Sequence, residues 1–162
     1  MKNGGGLWVN HKYGYGLLQA DKAVALSRTW KNVGNEVIVV HEKNVNKAIP
    51  DNNIEGVSDT IFIKEDINVE FVDVLFDADD HEALGELRVE LISPFGTKSI
   101  LAEKHNQVLK SAFRYKGWKF GSSFYIGEKS DGYWKLVVKD LSKGNKGTFK
   151  SLKLKIYGHR TD

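Results

Sequence analysis

Cysteine is absent from the 162-residue chain, which excludes disulfide frameworks and thiolate metal sites. The absence leaves the compartment open, because a chain of this length buries a core that needs no staple. No apolar run approaches the roughly 20 residues of a membrane span; Val37-Ile38-Val39-Val40 stops after a few residues. The opening Met1-Lys2-Asn3-Gly4-Gly5-Gly6 lacks the apolar middle of a signal peptide. A secreted protein with this sequence would carry its targeting segment upstream. Charge of one sign is also scarce, with a formal net of +3. The densest basic stretch, Lys150, Lys153 and Lys155, alternates with Leu152, Leu154 and Ile156. That alternation fits a solvated strand face, and no nucleic-acid partner is expected. There is no internal repeat, no low-complexity tract and no Gly-x-Ser-x-Gly element.

What is present is ordinary for a soluble globular domain: 41% hydrophobic and 28% charged residues. Length and composition predict one domain with a short attachment. Ala20, Ala23, Val24, Leu26 and Trp30 recur at helical spacing, predicting a helix over Leu17 to Trp30. Asp21 suits the positive end of its dipole, and Asn32, Gly34 and Asn35 close it. Two glycines in Tyr13-Gly14-Tyr15-Gly16 predict a tight irregular turn before it. From Glu36 onward the period changes to two. Leu87, Val89 and Leu91 alternate with Glu86, Arg88 and Glu90; Trp134, Leu136 and Val138 alternate with Lys135, Val137 and Lys139. Leu152, Leu154 and Ile156 repeat the pattern, and the run Ile67 to Phe76, apolar on both faces except at Asp73, reads as a central strand. Ser93-Pro94-Phe95-Gly96 suits a type I turn. Many short strands with turn punctuation and no helix after residue 35 predict an all-β jelly roll or β-sandwich.

Specific motifs then point to a family. His11-Lys12-Tyr13-Gly14-Tyr15-Gly16-Leu17-Leu18-Gln19-Ala20, continuing to Trp30, resembles the end of the catalytic domain of kexin- and furin-like convertases. Gln19 departs from that family's acidic residue or asparagine, which weakens a helix-entry hydrogen bond that Asp21 partly replaces. The remainder resembles the P domain that follows such catalytic domains. Ile49-Pro50-Asp51 and Gly56-Val57-Ser58-Asp59-Thr60-Ile61 are similar to its opening. His81 with Gly85-Glu86-Leu87, Ser93-Pro94-Phe95-Gly96-Thr97, Trp118-Lys119-Phe120, Gly127-Glu128, Gly132-Tyr133-Trp134-Lys135-Leu136 and Gly147-Thr148-Phe149 follow in the family's order. The resemblance implies residues 1–35 as the tail of a subtilisin-like catalytic domain and 36–160 as a P domain with a galactose-binding-like jelly roll. It implies a non-catalytic role, in which the P domain stabilises a serine endopeptidase and tunes its calcium and pH response. The implied partners are its own upstream catalytic domain and, through the parent enzyme, protein or propeptide substrates. The implied setting is extracellular or secretory.

By the resemblance, the serine, histidine and aspartate of a protease triad lie before residue 1, so no catalytic, cofactor-binding or metal residue is assigned. His11 is expected to line the glycine-rich loop and His81 to brace a turn; a hydrolase built on His81 and nearby acids is a remote third reading. Asp77, Asp79, Asp80 and Glu82 make calcium conceivable, but without the EF-hand glycine a plain polar turn is expected. Trp118, Phe120, Phe124, Tyr125, Tyr133 and Trp134 are expected to fill core or face the catalytic domain. The alternative is a carbohydrate- or protein-binding platform. The helix is too short to stand alone in water, so it must dock on the β domain, self-associate or fray.

Overall fold

The computed structural model describes residues 1–106 and 114–160. Helix α1 covers Ala20–Ser27, and eight strands follow: β1 Glu36–Ile49, β2 Val57–Ile63, β3 Asn68–Ala78, β4 Leu87–Ile92, β5 Lys98–Ala102, β6 Tyr115–Ser122, β7 Gly132–Asp140 and β8 Gly147–His159. They form two four-stranded sheets, ordered β1-β8-β3-β6 and β2-β7-β4-β5. Every strand pairing is antiparallel. Successive strands change sheets except at β4-β5, the eight-stranded jelly-roll order. The predicted β-sandwich is therefore the observed fold.

Period-two alternation places the core. Leu87, Val89 and Leu91 from β4, Trp134, Leu136 and Val138 from β7, and Leu152, Leu154 and Ile156 from β8 are all buried and meet between the sheets. β3 lies inside its sheet, between β8 and β6, as its apolar run predicts. Its exception, Asp73, accepts a hydrogen bond from the Tyr157 hydroxyl at 3.1 Å. Ser93-Pro94-Phe95-Gly96 closes a turn in which Gly96 N–H donates to Ser93 O at 2.9 Å.

Four expectations need correction. α1 runs over eight residues rather than Leu17 to Trp30, and none of them is buried. Gln19, at its N-cap, makes no side-chain capping bond, and among the described residues no neighbour buries the helix to supply the tertiary packing on which short helices depend. Helical structure does recur after residue 35, as one 3-10 turn at Leu84–Glu86, so Glu86 precedes the strand it was expected to join. β1 and β8 are long, with 14 and 13 residues, and pair along most of their length. Finally, Glu90 stands on the wetter face of β4 yet is 2% exposed, covered by Arg88, Lys98 and Lys139. Those cations hold its carboxyl below the ordinary value against the opposing effect of burial.

Candidate functional site

The glycine-rich start of the chain is fastened to the rim of the sandwich by a set of partly buried hydrogen bonds, which together form its seat. Asn3, 5% exposed, is its anchor. Its Nδ2 donates to Phe124 O and Ile126 O, both at 3.0 Å, while its Oδ1 accepts the Leu7 N–H at 2.8 Å. Gly4 N–H donates to Glu128 Oε1 at 2.8 Å and to Thr97 Oγ1 at 3.1 Å. The Thr97 hydroxyl donates to the same Glu128 oxygen. Glu128 is buried, and its Oε2 has no hydrogen-bond partner among the described residues. Gly5 is required by contact alone: a Cβ there would lie 2.6 Å from Gly127 C and 2.7 Å from Ile126 O. Gly5 thus lets the backbone approach the 124–128 loop more closely than any side chain permits, and Gly4 approaches the Phe95 side chain, where a Cβ would lie 2.5 Å from its Cβ.

His11 and Tyr15 complete the seat. Ile100 N–H donates to His11 Nε2 at 2.9 Å, and the imidazole packs on Phe124 with ring centroids 4.3 Å apart. Burial holds the His11 imidazole below its usual value. The Tyr15 hydroxyl donates to Ser123 O at 2.7 Å, and burial raises its pKa. Val9 is buried beneath the segment, whose short bridges pair Lys2 with Trp8 and Asn10 with Gly14. His11 therefore touches the β domain itself, beyond the loop it was expected to line. Thr97 and Glu128 lie within the family-like motifs Ser93-Pro94-Phe95-Gly96-Thr97 and Gly127-Glu128, but nothing local marks them or Asn3 as anchors; the run of three glycines is the one local signal of close approach.

Beyond the seat the chain turns apolar and exposed. Leu17 and Leu18 are 90% and 83% exposed, and Val24, Leu26 and Trp30 of the helical region are each more than half exposed. The helix does not dock on the β domain among the described residues.

The acidic loop is tied into the fold by hydrogen bonds. Asp77 Oδ1 accepts the Asp79 N–H at 3.2 Å, Asp79 pairs with Lys150, and Asp80 Oδ1 accepts the Thr148 N–H at 2.9 Å. Burial alone would raise the Asp80 carboxyl; hydrogen bonds from Thr148 and the charge of Lys150 outweigh it and hold it low. One oxygen of each of these three carboxylates is turned to a protein donor, and among the described residues the loop's acids do not converge as a group of three ligands. His81 does brace a turn: its Nε2 lies 3.3 Å from Asp140 Oδ2, and both residues are wholly buried.

The six aromatics do not share one surface. Tyr125 and Trp134 are core, packed edge-on at 4.9 Å, with the Tyr125 hydroxyl donating to Leu91 O. Phe124 sits under His11. Trp118 and Phe120 pack with buried Tyr115 on β6, whereas exposed Tyr133 stacks on Phe62 in the other sheet.

The class of fold is thus an eight-stranded jelly-roll sandwich with a glycine-rich lead seated on its rim. The proprotein convertase P-domain family matches over residues 70–156, more than half of the chain, and the chain belongs to that family. It is 31% identical over 176 residues to kexin of Saccharomyces cerevisiae, covering 99% of this chain and 21% of kexin. It is 32% identical over 160 residues to the Aeromonas extracellular serine protease of Aeromonas sobria, covering 90% of this chain and 26% of that protein. The crystal structure of Aeromonas sobria serine protease in complex with the chaperone ORF2 superimposes with a TM-score of 0.88 at 26% identity, over 99% of this chain and 33% of the other. The chain thus spans about a quarter or less of the length of these two curated relatives. No helix among the described residues is long and apolar enough to cross a membrane.

Proposed function

We propose that this chain is the accessory, non-catalytic part of a subtilisin-like serine endopeptidase, stabilising the catalytic domain that cleaves protein or propeptide substrates. Residues 1–35 are then the tail of the catalytic domain and 36–160 the P domain. One observation carries the reading: the seat joins Asn3 and Gly4 to Thr97, Phe124, Ile126 and Glu128 across more than 90 residues of sequence. Such a joint transmits stability from the sandwich to whatever precedes the tail. The exposed apolar residues Leu17, Leu18, Val24, Leu26, Trp30 and Val33, crowded into one stretch of chain, support it, since large apolar side chains left in solvent suit a partner surface. An extracellular or secretory setting accords with the name of the Aeromonas relative.

The reading is tested with the chain alone and with the longer product of its gene. Alone, the chain should cleave no peptide; in the longer product, Gly5→Ala should lower the melting temperature of the protease activity. Turnover by the isolated chain that disappears in His81→Ala would overturn the proposal. So would a longer product whose activity melts unchanged in Gly5→Ala.

A further inference from the structure

Asn3 is followed by Gly4, and no other asparagine in the chain precedes a glycine. In such a pair the side-chain carboxamide and the next backbone nitrogen are one bond short of a closed succinimide ring. Glycine puts no side chain in the way of closing it. We propose that Asn3 is a deamidation site gated by the seat: protected while the segment is seated, reactive once it lifts, and unable to seat again after conversion. The inference is independent of the role proposed above for the chain.

The protection is read from the hydrogen bonds. Asn3 N–H donates to Leu7 O at 2.8 Å, and Asn3 O accepts the Gly6 N–H at 3.0 Å. Its Nδ2 donates to Phe124 O and Ile126 O, both at 3.0 Å, and its Oδ1 accepts the Leu7 N–H at 2.8 Å. Every polar group of the residue is therefore spent, and the carboxamide is pinned from both ends. The attacking atom is held as well, because Gly4 N–H donates to Glu128 Oε1 at 2.8 Å and to Thr97 Oγ1 at 3.1 Å. At 5% exposure, Asn3 is also shielded from the hydroxide that would take the Gly4 proton. Ring closure has to carry Cγ onto Gly4 N, which breaks the two Nδ2 bonds. The reaction thus waits for a local opening of the segment.

In the opened segment, hydroxide removes the Gly4 N–H proton and the nitrogen's electron pair forms a bond to Asn3 Cγ. The Cγ–Nδ2 bond breaks, and Nδ2 leaves as ammonia with a proton from water. Water then opens the succinimide. Addition at Cγ gives aspartate; addition at the former backbone carbonyl gives isoaspartate, with the chain running on through Cγ. The balance is one water in and one ammonia out, with no change of oxidation state.

Neither product refits the seat. Both exchange the two Nδ2–H donors for a carboxylate that only accepts. Phe124 O and Ile126 O then lose their donor and face a negative oxygen, with buried Glu128 close by. Buried acceptors left unpaired are costly, so conversion makes the release one-way.

The test is ageing of the chain in mildly alkaline buffer, with conversion at Asn3 read by peptide mass spectrometry. A free peptide of residues 1–8 is aged beside it, with and without Gly5→Ala. The chain should convert more than about tenfold slower than the peptide, because only its opened fraction reacts. Gly5→Ala in the chain, which lifts the segment, should bring conversion close to the rate of the peptide with the same change. Asn3→Asp should leave the amides of Gly4 and Val9 exchanging freely while those of β3 and β8 stay protected. A chain that converts as fast as the peptide would overturn the proposal, and so would protected Gly4 and Val9 amides in Asn3→Asp. Should Gly5→Ala unfold, the native chain still decides: conversion must accelerate in urea below its unfolding midpoint, and a rate that urea leaves unchanged rejects the gate.

Discussion

Replacing Gly5 with alanine should release the N-terminal segment while leaving the sandwich folded. The added methyl would stand 2.6 and 2.7 Å from backbone atoms of Gly127 and Ile126, which are fixed because Val69 and residues 127–128 exchange backbone hydrogen bonds. No side chain is available to swing aside, so the segment must lift. Lifting breaks the two Asn3 bonds to Phe124 O and Ile126 O and the Gly4 bond to Glu128. At about 0.5–1.5 kcal/mol for each neutral bond and 1.5–3 for the one to a carboxylate, the loss is roughly 3–6 kcal/mol. Gly14→Ala is the matched control. Gly14, unlike Gly5, has a left-handed φ of 58°, and a Cβ there meets nothing within 4 Å. That change should cost only the backbone strain of about 1–2 kcal/mol. Hydrogen exchange resolves the two: in Gly5→Ala the amides of Asn3, Gly4 and Val9 should lose protection, while those of β3 and β8 keep it. Undiminished protection at Asn3 and Gly4 in Gly5→Ala would refute the close-approach argument.

Two further predictions concern the sandwich and its exposed lead. Asp59 on β2 is bound by Lys43 Nζ at 2.5 Å and Lys47 Nζ at 2.9 Å, both on β1 in the opposite sheet. Burial works against the Asp59 charge, but the two lysines overcome it and hold the carboxyl at about 2. Because the folded pKa lies below the unfolded one, this stabilisation is complete above about pH 4 and fades as pH falls towards 2. Its ceiling is about 2.4 kcal/mol, and half-exposed lysines reduce it to about 1–2 kcal/mol. Asp59→Asn should therefore lower stability at pH 7 by that amount and flatten the acid limb in urea melts; an acid limb identical to the parent's would reject the clamp. Serine at Leu17, Leu18 and Trp30 together should change the melting temperature little, each site contributing within about 0.5 kcal/mol, and should reduce self-association in sedimentation. A large drop in melting temperature would show that these residues pack somewhere after all.

The strand faces were legible because a pleated backbone turns side chains over every second residue, and that rule operates inside a single strand. Leu87-Val89-Leu91 and Trp134-Leu136-Val138 announced their burial in this way, and they are core. Glu90 defeated the rule, since its cover comes from Lys98 and Lys139 on neighbouring strands that no local pattern names. The helix was overestimated for a related reason: Leu17 to Trp30 has the spacing of a packed helix, but only a partner surface would hold its ends. At the seat, Gly4-Gly5-Gly6 shows in the sequence only the lack of a signal peptide's apolar middle, and the close approach of Gly5 to the 124–128 loop came from folding. Residues 97 and 124–128 became its partners through folding.

An all-β sandwich, its core residues and, through ordered motifs, its family can all be read along the chain. All of these rest on short-range periodicity or on motif order along the chain. Tertiary structure alone decided that β1 pairs with β8, that Glu128 receives Gly4, and that His81 meets Asp140 from 59 residues away. Those contacts are chosen by which loops the jelly-roll crossings bring to the same end of the barrel, a global constraint that leaves no trace in neighbouring residues.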